Sequence, residues 1–243
     1  MTTRLYSVVF DATDHRALAG WWSEAVGWPV AIADDDEAAL TAPAGSGLSW
    51  LVFVPVGDPK VGKNRVHLDL ASSSVEDQTA TVDRLVAAGA THVDIGQGGV
   101  PWVVLADPEG NEFCVLEPRD EIPGSGFFAI VADAVDPAAL APFWEAASGW
   151  SVVRRTERSV GLRPPGGAGL HLALVRVADP TAGKNRVHLD VAPFAGDDQQ
   201  AEVDRLVALG ARPADVGQGP DVTWVVLADP EANEFCILSP RDG

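Results

Sequence analysis

The sequence predicts an α+β fold, a tandem repeat in which each half runs β-α-β-β-β twice. Three observations carry this. Lys63-Asn64-Arg65-Val66-His67-Leu68-Asp69 returns as Lys184-Asn185-Arg186-Val187-His188-Leu189-Asp190, shifted by 121 positions. Apolar residues switch between a period of two and a helical period along each half. Turn residues punctuate the segments, most clearly in Asp107-Pro108-Glu109-Gly110-Asn111 and its echo Asp229-Pro230-Glu231-Ala232-Asn233.

The elements follow in order. In residues 6–11, Tyr6, Val8 and Phe10 alternate with Ser7, Val9 and Asp11, which is strand periodicity. Asp14 or Thr13 can cap a helix with Leu18, Trp21, Trp22 and Ala25 at helical spacing, and Gly27 closes it. Short strands are expected at 29–33, 38–42 and 49–54. A loop with Gly57, Pro59 and Gly62 leads to the repeated strand, 64–70. The second helix is expected after Ser73, with Glu76 completing a capping box and Val75, Val82, Leu85 and Val86 forming its apolar face. Strands at 91–95, 102–106 and 112–116 complete the half. The second half repeats the scheme at an offset of 121 or 122, so Trp22 matches Trp144 and Trp50 matches His171. The proline- and glycine-bearing stretch 117–126 separates two expected domains, 1–120 and 121–243.

Composition narrows the partners. With 17 basic and 35 acidic residues the formal charge is −18, which disfavours nucleic acid and anionic membrane surfaces. The first residues lack a signal-peptide pattern, and no apolar run reaches the roughly 18 residues of a membrane span. A cytoplasmic location is the expectation. Cys114 and Cys236 occupy one repeated strand position and are expected as free thiols. There is no glycine-rich dinucleotide or phosphate loop and no Gly-x-Ser-x-Gly elbow. The expected partner is a small molecule, and the chain is expected to be a monomer, a pseudo-dimer by its repeat, or a homodimer.

The ordered set of marks resembles the vicinal oxygen chelate superfamily, the glyoxalase, bleomycin-resistance and extradiol-dioxygenase group, and within it the glyoxalase-like branch. The marks are Asp14…Trp21-Trp22…Gly27-Trp28, the strand Arg65-Val66-His67-Leu68-Asp69, and the hairpin 107–113 with its copy at 229–235. The resemblance implies mixed sheets curled around a cup, with helices outside and often a divalent metal within. It leaves open whether a cup forms within one repeat or from both. It also implies three metal-ligand positions. Within each repeat these fall on Ser7, His67 and Cys114, and on Ala129, His188 and Cys236. Two of three usual ligands are missing from each set, so no resident metal or other cofactor is expected, and a His–Cys site for a soft metal is the alternative. Glu112 and Glu234 lie on the cysteine face but one strand step away.

Alternation places Val66, Leu68 and Leu70 toward the helices and Arg65, His67 and Asp69 toward the cup, with Arg186, His188 and Asp190 repeating the row. Charged groups on a concave face must be paired or must serve a ligand. One reading is a structural network in which the aspartate holds the imidazole. The other is a ligand floor, with arginine as anion anchor and His67 or His188 as catalytic acid–base group beside its aspartate. Trp102 and Trp224 open strands beside glycine-containing loops, where an indole can stack on a planar ligand or lie as a lid. Lys63 and Lys184 are expected in solvent. The expected function is binding of a small organic molecule in the cup, without the usual metal site. The alternative is an enzyme of lyase, isomerase or metal-dependent oxygenase type using His67/Asp69 or His188/Asp190.

Overall fold

The computed structural model describes residues 3–122, 124–180 and 183–242. Four modules follow one another. The first is β1 (Thr3–Ala12), α1 (His15–Val26), β2 (Val30–Ala33), β3 (Ala38–Thr41) and β4 (Trp50–Pro55). The second is β5 (Val66–Ala71), α2 (Val75–Ala87), β6 (Thr91–His92), β7 (Val103–Ala106) and β8 (Glu112–Val115). The third is β9 (Gly126–Ala134), α3 (Pro137–Ser148), β10 (Ser151–Arg155), β11 (Ser159–Arg163) and β12 (His171–Arg176). The fourth is β13 (Val187–Pro193), α4 (Gln199–Ala208), β14 (Arg212–Pro213), β15 (Val225–Ala228) and β16 (Glu234–Ile237). The α+β tandem architecture is therefore present in full.

The sheets do not follow the repeats. One eight-stranded sheet has the order β14-β15-β16-β13-β1-β4-β3-β2, and the other β10-β11-β12-β9-β5-β8-β7-β6. Each sheet therefore takes one module from residues 1–120 and one from 121–243. The joins are antiparallel: β1 lies on β13 with Val9 opposite His188, and β5 lies on β9 with His67 opposite Val131. Beside them run the parallel pairs β1–β4 and β13–β16 in one sheet, and β9–β12 and β5–β8 in the other. We call the concave face of the β1/β13 sheet the first cup and that of the β5/β9 sheet the second.

One continuous apolar core joins the backs of both sheets, with Trp22 and Trp144 fully buried in it. Burial obliges each indole N–H to find an acceptor. Trp22 Nε1 donates to Asp107 Oδ2 and Trp144 Nε1 to Asp229 Oδ2, each at 3.0 Å. The helix of one module is thus fixed to the hairpin of the next, and the two sheets are held together. Asp14 caps α1 through Ala17 N, and Gly27 closes it in the left-handed conformation at φ 73°.

Four local expectations are corrected. Ser74, not Ser73, caps α2, and Asp77 rather than Glu76 reaches back, accepting from Ser73 N and Oγ at 2.7 and 2.9 Å. Val82 and Leu85 are buried in α2, but Val75 and Val86 are exposed, because the core lies under a narrower stripe of that helix. The strand expected at 91–95 is only the two residues of β6. Lys63 and Lys184 are not free loop charges: Lys63, partly buried, pairs with Asp133, and Lys184, still exposed, pairs with Asp11, each at 2.6 Å. Both pairs cross from one repeat to the other.

Candidate functional site

Sheet register builds the floor of each cup. In the first, Asp190 on β13 stands opposite Ser7 on β1 and beside Cys236 on β16. His188 precedes Asp190 by two residues and shares its face. In the second, Asp69 stands opposite Ala129 and beside Cys114, with His67 two residues before it. In-register neighbours on adjacent strands lie about 5 Å apart, so the aspartate becomes the hub of each floor. This regroups the ligand positions implied by the resemblance. Ser7 meets His188 and Cys236, and Ala129 meets His67 and Cys114, because the modules pair across the repeats.

The geometry of the two floors is alike. His188 Nε2 lies 3.6 Å from Asp190 Oδ1, and His67 Nε2 lies 3.4 Å from Asp69 Oδ1. Ser7 Oγ donates to Asp190 Oδ2 at 2.8 Å, a bond that Ala129 cannot supply to Asp69. Burial raises the Asp190 carboxyl above its ordinary range, against the favourable pull of His188 and the Ser7 bond. Burial first, and then the neighbouring aspartate, push both cysteine thiols well up. The thiols are thus held protonated and are poor nucleophiles. The usual three-strand metal set does not fit: Ala129 has no donor, and the Ser7 hydroxyl is committed to Asp190.

Above the floors the cups diverge. The first opens into a cavity of about 790 Å³, walled by Val9, Val52, Val54 and Val226 and flanked by Tyr6, Trp50 and Trp224. A register slip between Leu5 and Ser7 leaves Tyr6 as an extra residue on β1, and Trp50 Nε1 donates to its hydroxyl at 3.2 Å. Trp224 stays 40% exposed at the mouth. Arg241 also lines the cavity. In the second cup Cys114 belongs to a small apolar cluster with Ala71, Leu116 and Ile122, against which Trp102, Val104 and Phe128 pack. Trp102 Nε1 is held by Gln97 at 2.8 Å. Arg119, the counterpart of Arg241, is held by Glu117 at 2.7 Å, whereas position 239 is serine. His171 replaces Trp50 and lies tilted against Phe128, with ring centroids 4.5 Å apart. Burial, then Arg163 and Arg154, bring the His171 pKa down to about 4, so its ring is neutral at pH 7.

The structure brings His67 with Asp69, and His188 with Asp190, onto the floors, and puts Trp102 and Trp224 above them. Arg65 and Arg186 are corrected to another place. Each immediately precedes its strand, at the seam between the repeats. Arg65 donates to the carbonyls of Glu231 and Ala232, and Arg186 to the Asp58 carbonyl and Glu109 Oε2. Glu112 and Glu234 are bound within their own repeats, accepting from Asn64 N and Asn185 N. Sequence reasoning missed Tyr6, Arg241 and the hydroxyl of Ser7 as first-cup groups. The signal was present in the repeat itself, as Tyr6 against Phe128 and Ser239 against Glu117.

Comparison with known proteins fits this geometry. The family model for the glyoxalase-like domain matches residues 7–116 and again 129–238. No curated protein matches the sequence. Among solved structures, glyoxalase I from Zea mays is similar at 15% identity and a TM-score of 0.63, over 98% of this chain and 92% of that one. A putative dioxygenase from Bacillus subtilis subsp. subtilis str. 168 is similar at 16% identity and 0.62, over 100% and 86%. At these identities the likeness is one of fold.

Proposed function

The chain belongs to the glyoxalase-like domain family, one copy in each half, and on that premise we propose that it binds a small organic molecule with a planar, largely apolar body in the first cup. The observation that carries this reading is the cavity of about 790 Å³ with valine walls, three aromatic side chains and a short polar floor. That volume and composition are typical of small-molecule sites, where apolar walls supply affinity and a few polar groups fix orientation. Trp224 and Trp50 offer faces for stacking, while His188 and Asp190 offer hydrogen bonds below. The usual family metal set is no part of this reading.

A titration of the full-length protein with a panel of planar aromatic compounds, followed by tryptophan emission, tests it. At least one compound is expected to shift the emission saturably. Val9→Trp, which fills the cavity, is expected to abolish that shift. If no compound perturbs the emission, or if Val9→Trp binds as well as the parent, the reading fails.

A second reading, catalysis, is favoured by one specific contact: the His188 imidazole beside Asp190 on the cavity floor. The imidazole could take a proton from a bound molecule and return it at another atom, with Asp190 orienting the ring. Turnover lost in His188→Gln with binding retained would separate this role from binding alone.

A further inference from the structure

The seam between the repeats holds a second cavity, of about 260 Å³, that cup binding does not use. Five cations line it, Lys60, Lys63, Arg65, Lys184 and Arg186, against the carboxylates of Asp11 and Asp58. The chain as a whole carries a formal charge of −18, so this convergence of positive groups runs against the rest of the molecule. Ion pairs hold four of the five: Lys60 with Glu112, Lys63 with Asp133, Lys184 with Asp11 and Arg186 with Glu109. Arg65 is the exception. It is 6% exposed, and among the described residues its guanidinium meets only the carbonyls of Glu231 and Ala232.

The other repeat shows what Arg65 lacks. The Glu109 carboxylate accepts from Thr13 N, Asp14 N and the Arg186 guanidinium. Its counterpart on Glu231 accepts from Val135 N and Asp136 N, and Arg65 reaches the Glu231 carbonyl instead. In addition, Nε of Arg65 and Nε of Arg186 are both buried without an acceptor. A buried charge without a counterion is costly, and an unmet buried donor adds about 1–3 kcal/mol. A trapped water satisfies a donor but brings no countercharge. An anion in the cavity supplies both.

We propose that the seam cavity binds a small phosphate-class oxyanion, either free phosphate or the phosphate group of a small metabolite, anchored by Arg65 and Arg186. Guanidinium N–H groups make strong charge-assisted bonds to phosphate oxygens. Lys184 adds spare donors, since its ammonium has three protons and donates to Asp11 alone. Cations converging from both repeats match an anion of more than one charge. The bound anion bridges the two repeats and so stabilises their pairing.

The test needs no cup ligand, so its failure is separate from failure of the cup proposal. Full-length protein is equilibrated by dialysis against radiolabelled inorganic phosphate at low ionic strength. Saturable binding of one equivalent per chain is expected, weakening as chloride is raised. Val61 lines the cavity and is 86% exposed. Val61→Asp therefore brings a carboxylate to the mouth without disturbing a packed group, and should weaken phosphate binding by about tenfold or more. Arg65→Gln should do the same, with circular dichroism reporting a native fold; if that variant does not fold, Val61→Asp decides alone. Glycerol phosphate that displaces the label more strongly than unlabelled phosphate identifies the phosphate group of a metabolite, and the reverse order identifies the free ion. Absence of saturable phosphate binding overturns the proposal, as does binding that Val61→Asp leaves at the parent affinity.

Discussion

The first and second cups begin from the same strand, Arg-Val-His-Leu-Asp, and end in different states. Both carry histidine, aspartate and cysteine on the floor at nearly the same spacing. Over the first stands a cavity with Trp224 at its mouth. Beside the second lie Leu116, Ile122, Trp102 and Phe128, with Arg119 neutralised by Glu117. A few substitutions between copies separate them: Tyr6 for Phe128, Ser7 for Ala129, Trp50 for His171 and Ser239 for Glu117. The difference teaches that duplication preserved the floor, which register and burial constrain, while the walls diverged. The first cup opens into a cavity, and the second carries a small apolar cluster beside its floor.

Four experiments can break or sharpen this comparison. The largest effect is expected from cutting the chain. Residues 1–120 alone would leave the edges of β1 and β5 without β13 and β9, and such edges pair with other chains. Size exclusion should find no folded monomer; a monomer with native near-ultraviolet dichroism would refute pairing across the repeats. Next, Ile122→Ala should lower stability by about 2–4 kcal/mol in urea unfolding, since Ile122 is buried in the second cup. It should leave binding in the first cup unchanged, and a loss of binding there would mean the cups are not separate.

The third concerns His171. Its folded pKa, about 4, lies below the ordinary 6.5. Between those values the unfolded chain holds a proton that the folded chain does not. Stability is therefore expected to be full above pH 6.5 and to fall as pH drops toward 4, by about 1–2 kcal/mol once solvent screening of the partly exposed ring is counted. His171→Phe should flatten that part of the pH–stability curve; an unchanged slope would place the acid sensitivity elsewhere. The smallest effect is optical. Acrylamide quenching should fall more in Trp224→Phe than in Trp102→Phe, because Trp224 is open to solvent and Trp102 is partly buried. Equal changes would remove the distinction between the two mouths.

Much of this molecule was legible in its sequence. The period of two placed Ser7, Val9 and Asp11 on one face of β1 and Tyr6, Val8 and Phe10 on the other, which holds except for Tyr6, brought to the cavity by the register slip. The repeat located His67/Asp69 and His188/Asp190, and the alternation correctly sent Val66, Leu68 and Leu70 to the core. Backbone periodicity and turn chemistry act over a few residues, so a short stretch is enough to read them. Three things were decided only in three dimensions. Ser7 joined His188 rather than His67, Asp190 and Asp69 became the hubs of the floors, and Arg65 and Arg186 went to the seam. Each depends on which strand edges meet and in what register. Those contacts join residues more than a hundred positions apart, as Ser7 and Asp190 do. A local pattern fixes which way a side chain points; only the packed sheets fix what it points at.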